Sequence, residues 1–286
     1  MRAGAGLLLL TATAPAAATT IYAAGDIAYC EYAKPAQSAA AGTAALVERE
    51  LARDPAARVL TLGDNVYQHG TLEEYRRCYE PTWGRFKERT LPAPGNRDYA
   101  RPGAPGYFAY FGRPAWYSVD LPGWHLVSLD SNLDGTAAAA QLMWLRDDLA
   151  AHPAPCTLAY WHHPLYSSGG HGNSPRMRAA WEILVKAGAE LVLSGHDHDY
   201  ERFAAQDADG RRDDAHGIRQ FVVGTGGAFL TPSLWFKANS EVRDNNRTGV
   251  LRLRLLPGRY EWEFLEASYD GFSETSRPDR GSGTCH

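Results

Sequence analysis

No pair among the four cysteines, Cys30, Cys78, Cys156 and Cys285, has C-x-x-C spacing, which excludes a zinc ribbon and a thioredoxin-like motif. No basic stripe is present either. The 33 acidic and 29 basic side chains are mixed along the chain and leave a net charge of −4, so nothing in the charge pattern points to a nucleic-acid scaffold. Beyond the N-terminus no apolar run is long enough to cross a bilayer, so no membrane span is expected. Internal repeats, low-complexity linkers and Pro/Ser-rich joints are also lacking, so the expectation is a single domain over residues 20–286. What the chain does have is 286 residues of 44% hydrophobic content, ample for a core and incompatible with disorder.

The N-terminus runs from Met1-Arg2 through four leucines to an Ala/Thr-rich stretch, the charged start, apolar middle and small-residue end of an export signal over residues 1–19. This predicts a secreted, periplasmic or extracellular protein in which disulfides form. Four cysteines allow three connectivities; the expected one joins Cys30 to Cys78 and Cys156 to Cys285.

Strand-like and helix-like segments alternate, which indicates an α/β class with crossovers. Residues 38–53, 137–150 and 175–186 read as helices, with Pro175 in the first turn of the last. Thr71 opens another helix in capping-box spacing with Glu74. Residues 59–62, 157–161 and 189–193 read as strands. Two hairpins, around Pro122-Gly123 and Pro257-Gly258, add antiparallel pairs, which favours one mixed-sheet domain over a mainly parallel doubly wound sheet. Residues 277–283 read as a surface tail.

Several strands end on a glycine or turn followed by side chains able to bind metal: AAGDIA with Asp26, TLGDNVY with Asp64 and Tyr67, PAPGNRDY with Asn96, AYWHHP with His162, and VLSGHDHDYER with His196 and His198. Ligands gather where strand ends converge in α/β sheets. Singly, each segment also suits a turn or a cap. In GHDHD, two histidines two apart in extended chain project to one side, and Asp197 and Asp199 are placed to orient imidazoles or cap the turn.

In this order and spacing, over residues 25–201, the segments resemble the metallophosphoesterase (calcineurin-like) superfamily and, through the Tyr in GDNVY, its purple acid phosphatases. The resemblance implies a four-layer sandwich of two mixed β-sheets flanked by helices. It implies two metals, the first held by Asp26, Tyr67 and His198, the second by Asn96, His162 and His196, with Asp64 bridging them. His162 is chosen over His163 because the family pattern puts the ligand two residues before the proline.

Two metals about 3.5–4 Å apart clamp a phosphoryl group and lower the pKa of bound water, so that hydroxide attacks in line. A phenolate in the first set suits Fe(III), and Asn96 with two imidazoles suits Fe(II), Zn or Mn. The net surplus of about two positive charges suits a phosphate monoester dianion as the small substrate.

One position departs from the pattern: Arg97 stands where family members usually carry histidine. Guanidinium stabilises phosphoryl charge but gives up no proton. His171 in SSGGHG, close to where the resemblance places a second substrate-facing histidine, is the remaining candidate for the general acid. The resulting expectation is an acid phosphatase-like monoesterase. Alternatives are a phosphodiesterase on nucleotides or lipids with the same site, and a weakly active or non-catalytic binder of phosphate or metal.

Overall fold

The computed structural model describes residues 18–29, 34–267 and 279–286. The predicted export signal, but for its last two residues, and Cys30 with its predicted link to Cys78 lie outside the described residues. In chain order the strands are β1 (Thr19–Ala24), β2 (Ala28–Tyr29), β3 (Arg58–Leu62), β4 (Val66–Tyr67), β5 (Thr90–Ala93), β6 (Tyr117–Leu121), β7 (Trp124–Ser128), β8 (Cys156–Tyr160), β9 (Leu191–Ser194), β10 (Tyr200–Phe203), β11 (Arg219–Val223), β12 (Ser240–Asp244), β13 (Gly249–Leu256), β14 (Arg259–Glu266) and β15 (Arg280–Thr284). The α-helices are α1 (Ala39–Arg53), α2 (Leu72–Glu74), α3 (Pro105–Phe111), α4 (Gly135–Ala151) and α5 (Arg178–Lys186). No helix among the described residues is long and apolar enough to cross a membrane.

Two large sheets result, ordered β15-β14-β13-β1-β3-β5 and β12-β10-β11-β9-β8-β7-β6. Both are mixed. β1, β3 and β5 run parallel, whereas β13 joins β1 antiparallel. In the second sheet β7, β8, β9 and β11 are parallel, and the hairpin partner β6 closes one edge antiparallel.

The layering follows from side-chain alternation. Leu126, Leu158 and Leu193 enter a core shared with Ile21, Leu60, Leu253 and the α1 residues Ala44 and Val47. Their neighbours Val127, Ala159 and Val192 point the other way, into a second core with Leu145 of α4 and Trp181 and Leu184 of α5. Strands covered on both faces carry apolar residues at consecutive positions, which is why Val59–Leu62 and Leu191–Leu193 read as continuous runs.

Local signals act as their chemistry predicts. Ser38 caps α1, its hydroxyl accepting from the Ala41 amide at 3.3 Å. Thr71 and Glu74 form the full capping box, but α2 ends after one turn and passes into a π-helical turn over Tyr75–Tyr79. Both predicted hairpins form, as β6–β7 and β13–β14.

The predicted surface tail is corrected: its described part, residues 279–283, leads into and largely forms β15, which pairs antiparallel with β14. Gly281 and Gly283 lie against the rings of Trp262 and Tyr260, where an added Cβ would come within 2.3 and 2.4 Å of ring carbons. The small residues make room for aromatics. The residue after β15, Cys285, is disulfide-bonded to Cys156 at the start of β8, as predicted.

Beside that bond, the Glu190 carboxylate accepts from the Thr157 amide at 2.7 Å and the His286 amide at 3.3 Å. Burial raises its pKa to about 7, only partly offset by those amides. The folded pKa lies above the unfolded value, so the folded state binds the proton more tightly; this contribution is complete below about pH 4.5 and is lost as pH rises through 7. Glu190→Gln is therefore expected to flatten the decline in stability between about pH 5 and pH 8 by on the order of 2 kcal/mol, read from urea melts at each pH. An unchanged pH profile in the variant contradicts this.

Candidate metal centre

The carboxyl ends of five parallel strands, β1, β3 and β5 from one sheet and β8 and β9 from the other, open toward the same place. Each is followed within a few residues by a predicted site residue: Asp26 after β1, Asp64 and Tyr67 after β3, Asn96 after β5, His162 after β8, and His196 and His198 after β9. Asp26 and His162 are fully buried, and Asp64 and Tyr67 nearly so.

The side chains fall into two overlapping groups. In one, the Tyr67 hydroxyl lies 2.8 Å from Asp26 Oδ1 and 3.1 Å from His198 Nε2, and that nitrogen is 3.3 Å from Asp26 Oδ1. In the other, His162 Nε2 lies 3.0 Å from Asn96 Oδ1, 3.2 Å from His196 Nδ1 and 3.4 Å from Asp64 Oδ1. Asp64 joins them: ligand atoms of Asp26, Asp64 and His162 all lie within 4.8 Å of one another. All seven predicted metal-ligating residues are thus brought together.

Backbone geometry explains the glycines that precede them. Asp26, Asp64 and His196 have φ of 60°, 48° and 74°, the left-handed region that costs non-glycine residues energy and that persists where the surroundings enforce it. A Cβ on Gly63 would lie 2.6 Å from the His162 ring, and one on Gly95 would lie 2.2 Å from Asp64 Oδ1. Only a bare backbone lets the strand ends close on these side chains.

Further contacts fix the donor atoms. His162 Nδ1 donates to the Leu62 carbonyl at 2.8 Å and His198 Nδ1 to the Phe229 carbonyl at 2.6 Å. A carbonyl only accepts, so each ring turns Nε2 inward, where a cation would displace its proton and meet the lone pair. Asp26 Oδ2 accepts from the His196 amide at 2.8 Å, and Asp64 Oδ1 from the Arg97 amide at 2.6 Å.

The electrostatics show what such a pocket attracts. Burial alone would raise the Asp26 carboxyl, yet its hydrogen bond with His198 and the charges of His198 and His162 bring it to about 2. Burial disfavours charge on His162 and His198 too, yet the charge of Asp64 on the first and the hydrogen bond to Asp26 on the second raise each to about 9. Burial and the nearby His162 hold His196 down at about 3. Burial, then Asp26 and Asp64, pushes the Tyr67 phenol well above its ordinary value. Buried carboxylates that draw positive charge onto their neighbours, with inward imidazoles, an amide oxygen and a phenol, form a donor set that fits two cations.

His163 differs from His162. It is also buried, but its Nδ1 meets the Ser131 hydroxyl at 2.8 Å, and burial and the surrounding imidazoles depress its pKa far below the ordinary value. Arg97 is exposed at the mouth, its guanidinium carbon 5.9 Å from the centre of the Tyr67 ring. His171 stands half-exposed, its ring 4.3 Å from that of His196. Its Nδ1 is 3.0 Å from Asp197 Oδ1, a hydrogen bond that raises the imidazole pKa.

Asp98, inside the PGNRDY segment, is not among the site residues that the sequence suggests. Fully buried, it accepts from the Asn65 amide at 3.1 Å, Asn65 Nδ2 at 3.0 Å, the Gly95 amide at 2.8 Å and the Tyr75 hydroxyl at 2.7 Å. Burial and the charge of Asp64 raise it to about 6. It ties the β3 and β5 ends together. The signal was an acid two residues past a candidate ligand; the carbonyls of Leu62 and Phe229 left no sequence signal.

Purple acid phosphatase 22 of Arabidopsis thaliana is 32% identical over 160 residues, covering 52% of this chain and 36% of that protein. The aligned region is thus about a third of the relative's length. A purple acid phosphatase from yellow lupin (Lupinus luteus) seeds superposes with a TM-score of 0.72 at 20% identity, covering 94% of this chain and 54% of that one. GAP50, the anchor in the inner membrane complex of Plasmodium, gives 0.71 at 13% identity, covering 94% and 88%. Both likenesses concern the fold. The profile of the calcineurin-like phosphoesterase family matches residues 19–200, and the chain belongs to that family.

Proposed function

We propose that this protein is an exported dimetal phosphoesterase that hydrolyses phosphate monoesters. The observation that carries this reading is the meeting of Asp26, Tyr67 and His198 with Asn96, His162 and His196 around the shared Asp64 carboxylate. The first set would hold Fe(III) and the second Fe(II), Zn or Mn, by donor chemistry. Bound there, the two cations supply Lewis acidity and an activated water. Similarity to purple acid phosphatases supports the choice of ester, and the Cys156–Cys285 disulfide supports an oxidising compartment.

The chain's own residues do the rest. Arg97 at the mouth receives phosphoryl oxygens and balances their charge without exchanging a proton. His171, oriented by Asp197, holds a proton on Nε2 for the oxygen of the departing alcohol. Asp197 is itself fixed by the Ser167 hydroxyl.

Purified protein carrying two metals per chain should cleave p-nitrophenyl phosphate well above its bis-ester, and chelation should abolish turnover. A reversed ratio reassigns the protein to diesters, and metal-replete protein without turnover rejects the enzyme reading. A visible phenolate-to-iron(III) band should be present in wild type and lost in Tyr67→Phe.

His171→Asn should lower kcat on alkyl phosphates by about a hundredfold and on p-nitrophenyl phosphate far less, because a nitrophenolate leaves without a proton. Equal losses on both esters would count against a proton-donor role. Gly95→Ala should lower bound metal to below one equivalent by displacing Asp64. Gly42→Ala is the control: its added Cβ in α1 meets nothing within 4 Å, so metal content should be unchanged and stability should rise by up to about 1 kcal/mol.

A further inference from the structure

At the amino-terminal end of β7, which runs parallel to β8, lies a second group of histidines and carboxylates that the proposed chemistry does not use. It is built from three elements. Asp120 on β6 and His125 on β7 are cross-strand partners in register. Asp148 lies in the last turn of α4, and His152 caps that helix's C-terminus.

His125 is completely buried and has a carboxylate on each ring nitrogen: Asp120 Oδ1 is 2.7 Å from Nδ1 and Asp148 Oδ2 is 2.8 Å from Nε2. A neutral imidazole has one N–H and donates to one of them; the other contact needs a second proton or a cation between the partners. Asp148 is already committed, since its other oxygen accepts from the Ser118 hydroxyl at 2.8 Å. In the tautomer that donates from Nε2 to Asp148, Nδ1 is left turned toward Asp120, the carboxylate–histidine arrangement that orients an imidazole for a metal.

His152 completes the group. Its Nδ1 is buried and has no hydrogen-bond partner, and it lies 3.8 Å from Asp120 Oδ2 and 4.0 Å from Asp148 Oδ1, beyond hydrogen-bond reach. Ligand atoms of Asp120, His125 and His152 all lie within 4.8 Å of one another. Donors around a tetrahedral ion at metal–ligand distances near 2.0–2.1 Å stand about 3.4 Å apart, so the observed 2.7 and 3.8 Å bracket the requirement. The Asp120 side chain is 64% exposed, which gives an ion a path in and a place for a water ligand. The C-terminal end of α4 adds its negative dipole.

We propose that Asp120, His125 and His152 form a separate zinc site, with Asp148 orienting His125. Two imidazoles and one carboxylate suit zinc and do not suit magnesium or calcium, which prefer all-oxygen shells. The ion would tie the β6–β7 hairpin to the end of α4, stabilising the far end of the second sheet without touching the reacting groups. The site is independent of the phosphoesterase reading.

The test compares zinc content of wild type, His152→Ala and Asp120→Asn after equilibrium dialysis against about 10 μM Zn²⁺, with phosphatase activity and circular dichroism measured on the same samples. Wild type should hold one zinc equivalent more than either variant, with activity equal in all three. Added zinc should raise the melting temperature of wild type above that of the variants. Equal zinc content in all three proteins overturns the proposal, as does a wild-type zinc excess accompanied by loss of turnover in the variants. Should His152→Ala fail to fold, Asp120→Asn alone decides, because its side chain lies largely in solvent.

Discussion

One buried carboxylate sets the terms for the whole molecule. Asp64 sits where the ends of β3 and β5 meet β8, in left-handed backbone, gripped by the Arg97 amide and pressed by Gly95. An unpaired charge in such a place costs several kcal/mol, so neighbours must supply positive charge or donors. The arrangement around it meets that demand: His162 is drawn to it, and Asp98 pulls the flanking amides into line. Two sheets, five strand ends and the glycines between them hold one oxygen-rich spot at the right spacing.

Sequence and structure agree most closely where the information is local. Glycine followed by aspartate at a strand end and the capping box each carry their geometry within a few residues and are found as read, whereas the His-x-His pair is corrected: it lies in a turn after β9, with His196 at φ 74°, and not in extended chain. The final strand was misjudged for the opposite reason. Arg-Gly-Ser-Gly has the composition of a loose end, and only the rings of Tyr260 and Trp262, distant in sequence, explain why residues that small are needed there. The Phe229 carbonyl that steers His198 was equally illegible, because a main-chain oxygen has no residue identity. The choice between His162 and His163 rests on resemblance: His162 turns to Asp64 and His163 meets Ser131, while a ring nitrogen of His163 also lies within 4.8 Å of ligand atoms of His162 and His196.

The sites at the two ends of the second sheet differ in how the fold treats histidine. At the carboxyl ends, imidazoles converge from separate loops and their positions depend on strained backbone and distant carbonyls. At the amino ends, His125 lies within a regular strand and meets its partners through plain cross-strand register and one helix end. The first construction is precise and demanding, the second ordinary and robust. Chemistry belongs with the former and fastening with the latter.

The order of strands in the first sheet bears on how the protein comes into being. β1, whose tip carries Asp26, lies between β3 and β13, so Ile21 faces Arg58 on one side and Leu253 on the other. During synthesis that second neighbour is made long after β1. Until it is made, one edge of β1 lacks its partner, so the sheet that carries Asp26 closes late.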